Sequence, residues 1–118
     1  MNLKTELGNV NVSKEVIATI AGASATECFG LVGMQSRKQV RDGLSDLLGK
    51  ENLGKGVEIT EQDDQLHIEL FIVVSFGTKI HQVAQNVIDK VKYSVQKLTG
   101  LEVGHVKINV QGVKVDQS

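Results

Sequence analysis

Tryptophan is absent, and the aromatic residues are only Phe29, Phe71, Phe76 and Tyr93. A core for this chain must therefore be built mainly from Val, Ile, Leu and Ala. The single cysteine, Cys28, excludes an intramolecular disulfide and any multi-cysteine metal site. Long apolar runs are also missing. The longest, Leu70 to Val74, falls far short of the ~20 residues that span a bilayer, and Met1 to Leu7 lacks the apolar stretch of a signal peptide. The expected location is the cytoplasm, with no direct membrane insertion. A formal net charge of -1 supplies no global attraction to nucleic acid or anionic lipid.

What is present is an ordinary globular composition, 41% hydrophobic and 23% charged, over a length of 118 residues that suits one domain spanning 1–118. Leu3 to Val12 reads as a strand interrupted by a turn at Gly8-Asn9. Ser13 is placed to cap a helix running to about Cys28, whose middle, Ala18 to Ala25, is small almost all the way round. Gly22 costs a helix interior about 1 kcal/mol relative to Ala, which implies tight packing, inside the monomer in preference to an oligomer contact. Phe29 to Met34 follows as a strand. A mobile polar excursion is expected over 36–54, with Val40, Leu44 and Leu47 marking one weak helix.

Gly56 to Glu61 and Leu66 to Phe76 form a hairpin turning at Asp63-Asp64. In the second of these strands Leu66, Ile68, Leu70, Ile72, Val74 and Phe76 share one face. The other face, His67, Glu69, Phe71, Val73 and Ser75, becomes apolar halfway along, so the linker helix or another subunit should cover Phe71 and Val73. Thr78 is expected to cap a second long helix to about Leu98, its wide apolar stripe formed by Ile80, Val83, Ala84, Val87, Ile88, Val91, Val95 and Leu98, with Gly100 ending it. The last strand runs from Val103 to Val110, and Val113 and Val115 fall out of phase after Gly112, which predicts either a bulge or the end of regular pairing. The fold class is α+β: β-α-β-(short α)-β-β-α-β, one mixed sheet with both main helices on one face.

Catalytic equipment is not evident. His67 and Glu69 share a strand face and His105 faces outward on another, so neighbouring strands would bring the three toward a metal-ligand set. Their adopted reading is a solvated sheet surface; no catalytic, metal or cofactor site is assigned. Cys28, at a helix C-terminus, lacks the positive field that makes a thiolate. His81 matches no motif. Gly30-Leu31-Val32-Gly33 is a bare G-x-x-G that leads into a strand, so it reads as a structural turn and nucleic acid is not the expected partner.

Charge is unevenly distributed. Glu58, Glu61, Asp63, Asp64 and Glu69 fall in a stretch without Lys or Arg, whereas Arg37, Lys38 and Arg41 cluster and Lys90, Lys92 and Lys97 share the second helix. This asymmetry suggests a homo-oligomer in which an acidic hairpin meets a basic face, with Phe71 and Val73 as further interface candidates.

Three collinear segments carry a family resemblance. They are G-N-V-N-V-S-K-E-V-I-A-T-I-A-G (Gly8 to Gly22) leading into F-G-L-V-G-M (Phe29 to Met34), K-G-V-E-I (Lys55 to Ile59), and V-I-D-K-V-K-Y-S-V-Q-K-L-T-G-L-E-V-G-H-V-K-I-N-V (Val87 to Val110) with Gly112-Val113 after it. Together they resemble the alkaline shock protein family, also called the envelope stress response or general stress family, of Gram-positive bacteria, and its short housekeeping-type members in particular. The resemblance implies an α+β domain with no established enzymatic activity, no cofactor and no catalytic residues to carry over. It implies self-association and a membrane-anchored protein partner through which the chain becomes membrane-associated. It also implies a genomic link to a fatty-acid kinase of the dihydroxyacetone-kinase type, for which a regulatory partnership is the alternative role; RNA binding is a further one.

Overall fold

The computed structural model describes residues 1–42 and 47–115. Its spine is β5 (Gln65–Ser75), which presents two strand edges and two faces. β4 (Val57–Gln62) pairs antiparallel with the first half of β5, Val57 opposite Leu70 and Gln62 opposite Gln65. The turn between them places Asp63 and Asp64 at φ 55° and 63°. Left-handed values at both central residues belong to a type I′ hairpin, and Asp is among the few residues that tolerate them.

β3 (Leu31–Met34) takes the same edge of β5 further along, Leu31 opposite Val74 and Met34 opposite Ile72. Gln35 N donates to Phe71 O at 3.0 Å, and Val57 resumes the ladder opposite Leu70. β3 and β4 are thus one edge strand, interrupted by residues 36–56. Gly56 closes the neck: a Cβ there would lie 2.9 Å from both Gln35 O and Met34 Cβ. On the opposite edge β6 (Val103–Lys114) runs parallel to β5. A parallel partner needs a crossover, which α3 (Ile80–Thr99) supplies.

Both main helices pack on one face, as expected. α1 (Lys14–Thr26) buries Ile17, Ala18, Ala21 and Ala25, and α3 buries Val83, Val87, Val91 and Val95 at four-residue spacing. They close over Leu66, Ile68, Leu70, Ile72 and Val74 of β5 in one apolar cluster. Ser13 caps α1, its Oγ accepting from Val16 N at 3.2 Å. Ser13→Ala is expected to remove about 1 kcal/mol of stability, read as a lower urea midpoint at unchanged slope.

Several expectations are corrected. The N-terminal segment is a separate hairpin, β1 (Asn2–Thr5) with β2 (Gly8–Asn11), turning at Glu6-Leu7, and it does not join the main sheet. Thr78 does not cap α3. Its Oγ1 donates to Ser75 O at 2.7 Å, tying the preceding turn, and Lys79 occupies the cap position without a side-chain bond. β6 does not end at Val110: of the two expected outcomes the bulge is found, between Val110 and Gly112, and it restores the phase and sets Val113 opposite Val74. Gly100 stops α3 at φ 77°, as anticipated.

The excursion is docked where it is described. α2 (Arg37–Arg41) opens on a capping box between Ser36 and Gln39. Of the expected helix, Val40 lies in α2, Leu44 lies outside the described residues, and Leu47 is not helical. Leu48 N donates to Met34 O at 2.9 Å. The 3-10 segment Lys50–Gly56 lies against α1, where a Cβ at Gly22 would stand 2.8 Å from Leu53 O. The small middle of α1 therefore serves packing within the monomer.

Candidate interaction surfaces

The second face of the sheet begins polar and ends apolar along β5. Phe71 and Val73 are only 7% and 6% exposed, so they are not an open interface, and the expectation that they serve as one is corrected. The cover at Val73 comes from within the chain. Its register partner is Gly33, and Leu47 Cδ2 lies 3.1 Å from where a Cβ at Gly33 would stand. Gly33 thus makes the room through which the excursion reaches the sheet.

Further along, the parallel register sets His67 opposite His105, Glu69 opposite Lys107 and Phe71 opposite Asn109. Asn109 Nδ2 donates to Glu69 Oε2 at 2.9 Å, and Lys107 Nζ stands 3.7 Å from the same oxygen. The two imidazole centroids are 6.3 Å apart. β5 and β6 thus bring His67, Glu69 and His105 to one patch, but the Glu69 carboxylate is committed to Asn109 and Lys107. Among the described residues no three metal-ligating side chains converge. A shallow pocket of about 180 Å³ lies over this patch, with Arg37, Glu58 and Thr60 along its other side.

Arg37 and Glu58 also line a neighbouring groove of about 550 Å³ between α2 and the start of β4. Arg37, Lys38, Arg41 and Lys55 converge there against a single carboxylate, Glu58. One predicted assignment changes as a result, and one residue joins the cluster unpredicted. Glu58 belongs to the basic groove rather than to the acidic hairpin, because it sits at the opposite end of β4 from Glu61. Lys55 joins the cluster only because the chain returns to the sheet beside α2; no local pattern in the sequence marks it. Glu61, Asp63 and Asp64 remain together and exposed at the hairpin end.

The lysines of α3 do not contribute to this groove. Lys90 stands 3.3 Å from Glu27 Oε2, Lys97 donates to Tyr93 Oη at 3.1 Å, and Lys92 is exposed on the helical layer.

A family model described as the Asp-23 family, of cell envelope-related function, matches residues 2–115. The chain belongs to this family. It is 49% identical over 115 residues to the Bacillus subtilis protein YloU, covering 98% of this chain and 96% of that one. It is 38% identical to Spy1614 of Streptococcus pyogenes, covering 98% and 95%, and 35% identical to B. subtilis YqhY, covering 95% and 82%. All three relatives are described as uncharacterized. Among solved structures, a MamM-CTD variant superposes with a TM-score of 0.50 at 10% identity, covering 89% of this chain and all of that one. At that identity the likeness is one of fold.

Cys28 is the free cysteine of this family member, and it is half-buried. Burial pushes its thiol up from the ordinary value; Lys90 opposes the shift and Glu27 adds to it. A raised thiol pKa leaves less thiolate near neutrality. Its reaction with a disulfide reagent at pH 8 is expected to be several-fold slower than that of free cysteine; an equal rate would contradict the burial.

No helix of the described residues is long and apolar enough to cross a membrane.

Proposed function

We propose that this member of the cell envelope-related family is a non-catalytic interaction module that self-associates and, so assembled, holds a protein partner near the membrane. The observation supporting self-association is the separation of charge along β4. Glu61, Asp63 and Asp64 project at its far end, while Arg37, Lys38, Arg41 and Lys55 surround its beginning. A heterologous contact, hairpin of one copy in the groove of the next, brings opposite charges together without pairing either surface with itself.

Light scattering across a salt series tests this reading. The expected result is an assembly at low salt that reverts to monomer as screening increases. Asp63→Asn/Asp64→Gly removes two of the three hairpin charges while supplying the residues a type I′ turn prefers, so it should yield a well-folded monomer. A wild type that is monomeric at low salt, or an assembly indifferent to that variant, would falsify the reading. The same groove favours one rival, an RNA-binding module. RNA binding that weakens steeply with salt and requires Arg37, Lys38 and Arg41 would replace self-association as the groove's role.

A further inference from the structure

The fold gathers, at one end of the sheet, apolar side chains that no run in the sequence unites. β5 ends there, β3 begins there, and β6, parallel to β5, ends there too. Ser75 N donates to Gly30 O and Phe76 N to Lys114 O, each at 2.9 Å, so the three segments are bound together. Phe29 is 87% exposed and Phe76 68%, with Ile80, Val113 and Val115 exposed beside these segments. Two of the three phenylalanines of an aromatic-poor chain thus face solvent at the same end. A grouping of this kind on a small domain marks a surface that meets something apolar.

Its charge narrows the choice. Lys79 and Lys114 are exposed there, and the first turn of α3 carries no acidic residue. The described residues 28–34, 75–82 and 113–115 contain no carboxylate. Glu27, just before them, is held by Lys90. The surface that fits is therefore apolar inside and anionic at its boundary. The acidic hairpin of another copy offers charge without apolar area. A second copy of this same end would set Lys79 and Lys114 against themselves. A bilayer carrying anionic lipid offers both features, since its acyl boundary takes aromatic side chains and its phosphates face the lysines.

We propose that this end of the domain docks peripherally on an anionic membrane surface, with Phe29 and Phe76 entering the headgroup boundary and Lys79 and Lys114 meeting lipid phosphates. The contact crosses nothing, so it needs no apolar helix. It departs from the expectation of no direct insertion because the side chains that make it are scattered over three segments of sequence. It does not depend on self-association, although an assembly would multiply a weak contact.

Flotation of the full chain with vesicles is the test. Phosphatidylcholine alone should retain little protein, and equal parts phosphatidylcholine and phosphatidylglycerol should carry it at low salt. Phe29→Ser/Phe76→Ser should lower the bound fraction at least about tenfold, and Lys79→Glu/Lys114→Glu should abolish the preference for phosphatidylglycerol. Leu7→Ser, which alters an exposed apolar residue of the β1–β2 turn, should change nothing. Thermal melts confirm that each variant is folded. Failure to float with phosphatidylglycerol, or flotation that the phenylalanine pair leaves within twofold, overturns the proposal. So does a change in lipid-free molar mass in that pair, which would make this end a contact between copies. Asp63→Asn/Asp64→Gly separates the two ideas: it should dissolve the assembly and leave the phenylalanine-dependent flotation of the monomer in place.

Discussion

Phe71→Asp is expected to unfold the domain rather than to loosen an assembly. Phe71 is 7% exposed in the isolated chain, and its register partners place it beside the Asn109–Glu69–Lys107 cluster. The substitution removes a large apolar side chain, which costs about 3–5 kcal/mol in a packed site. It also leaves a carboxylate with little water and with the Glu69 carboxylate on the next residue of the same face, a further penalty of several kcal/mol unless it protonates. A domain of this size holds only about 5–15 kcal/mol in total. Loss of the cooperative urea transition, or a midpoint close to zero denaturant, is the predicted outcome. A variant within about 1 kcal/mol of wild type would mean that Phe71 is open to solvent after all. The same reasoning makes Phe71 a poor probe of self-association, because folding and assembly would fail together.

Gly22→Ala should destabilise, against the usual sign. In an open helix this change gains about 1 kcal/mol. Here the added Cβ would lie 2.8 Å from Leu53 O and 3.1 Å from Leu53 Cβ, and the nearest obstacle is backbone, which yields poorly. Overpacking of this kind costs about 1–3 kcal/mol, so the net expectation is a loss of up to about 2 kcal/mol and a Tm lower by several degrees. The displaced element is the 3-10 segment that carries Lys55 into the basic groove. Salt-dependent association should therefore weaken along with stability. Gly8→Ala is the control, since nothing lies within 4 Å of its added Cβ; it should stay within about 0.5 kcal/mol of wild type. A stabilised Gly22→Ala would show that the excursion does not rest on α1.

Much of the local structure was readable from residue order alone. Val83, Val87, Val91 and Val95 recur at helical spacing, and the core face of β5 alternates from Leu66 to Val74. Gly100 occupies the left-handed stop, and Asp63-Asp64 the hairpin turn. These signals are local: a helix or strand that buries one face repeats its apolar residues at its own period, whatever lies opposite. The family resemblance followed the same segments. Errors fell where a local signal admitted two outcomes. Thr78 can cap a helix or bind the carbonyl three residues back, and the structure takes the second. Gly8-Asn9 carries a turn signal, yet the tighter hairpin turns at Glu6-Leu7.

The chain by itself therefore determined the elements, their apolar faces, the family and the acidic hairpin. Tertiary structure alone decided that β3 and β4 share one edge of β5, and that decision controls the surfaces. It sets the excursion's described residues, 36–42 and 47–56, beside a single neck, lays Leu47 over Gly33, and brings Lys55 to Arg37. It also sets His67 opposite His105 and collects Phe29, Phe76 and Ile80 at one end of the sheet. The physical reason is that pairing between distant strands depends on which edges remain free and which loops can close, and no periodicity along the chain records either.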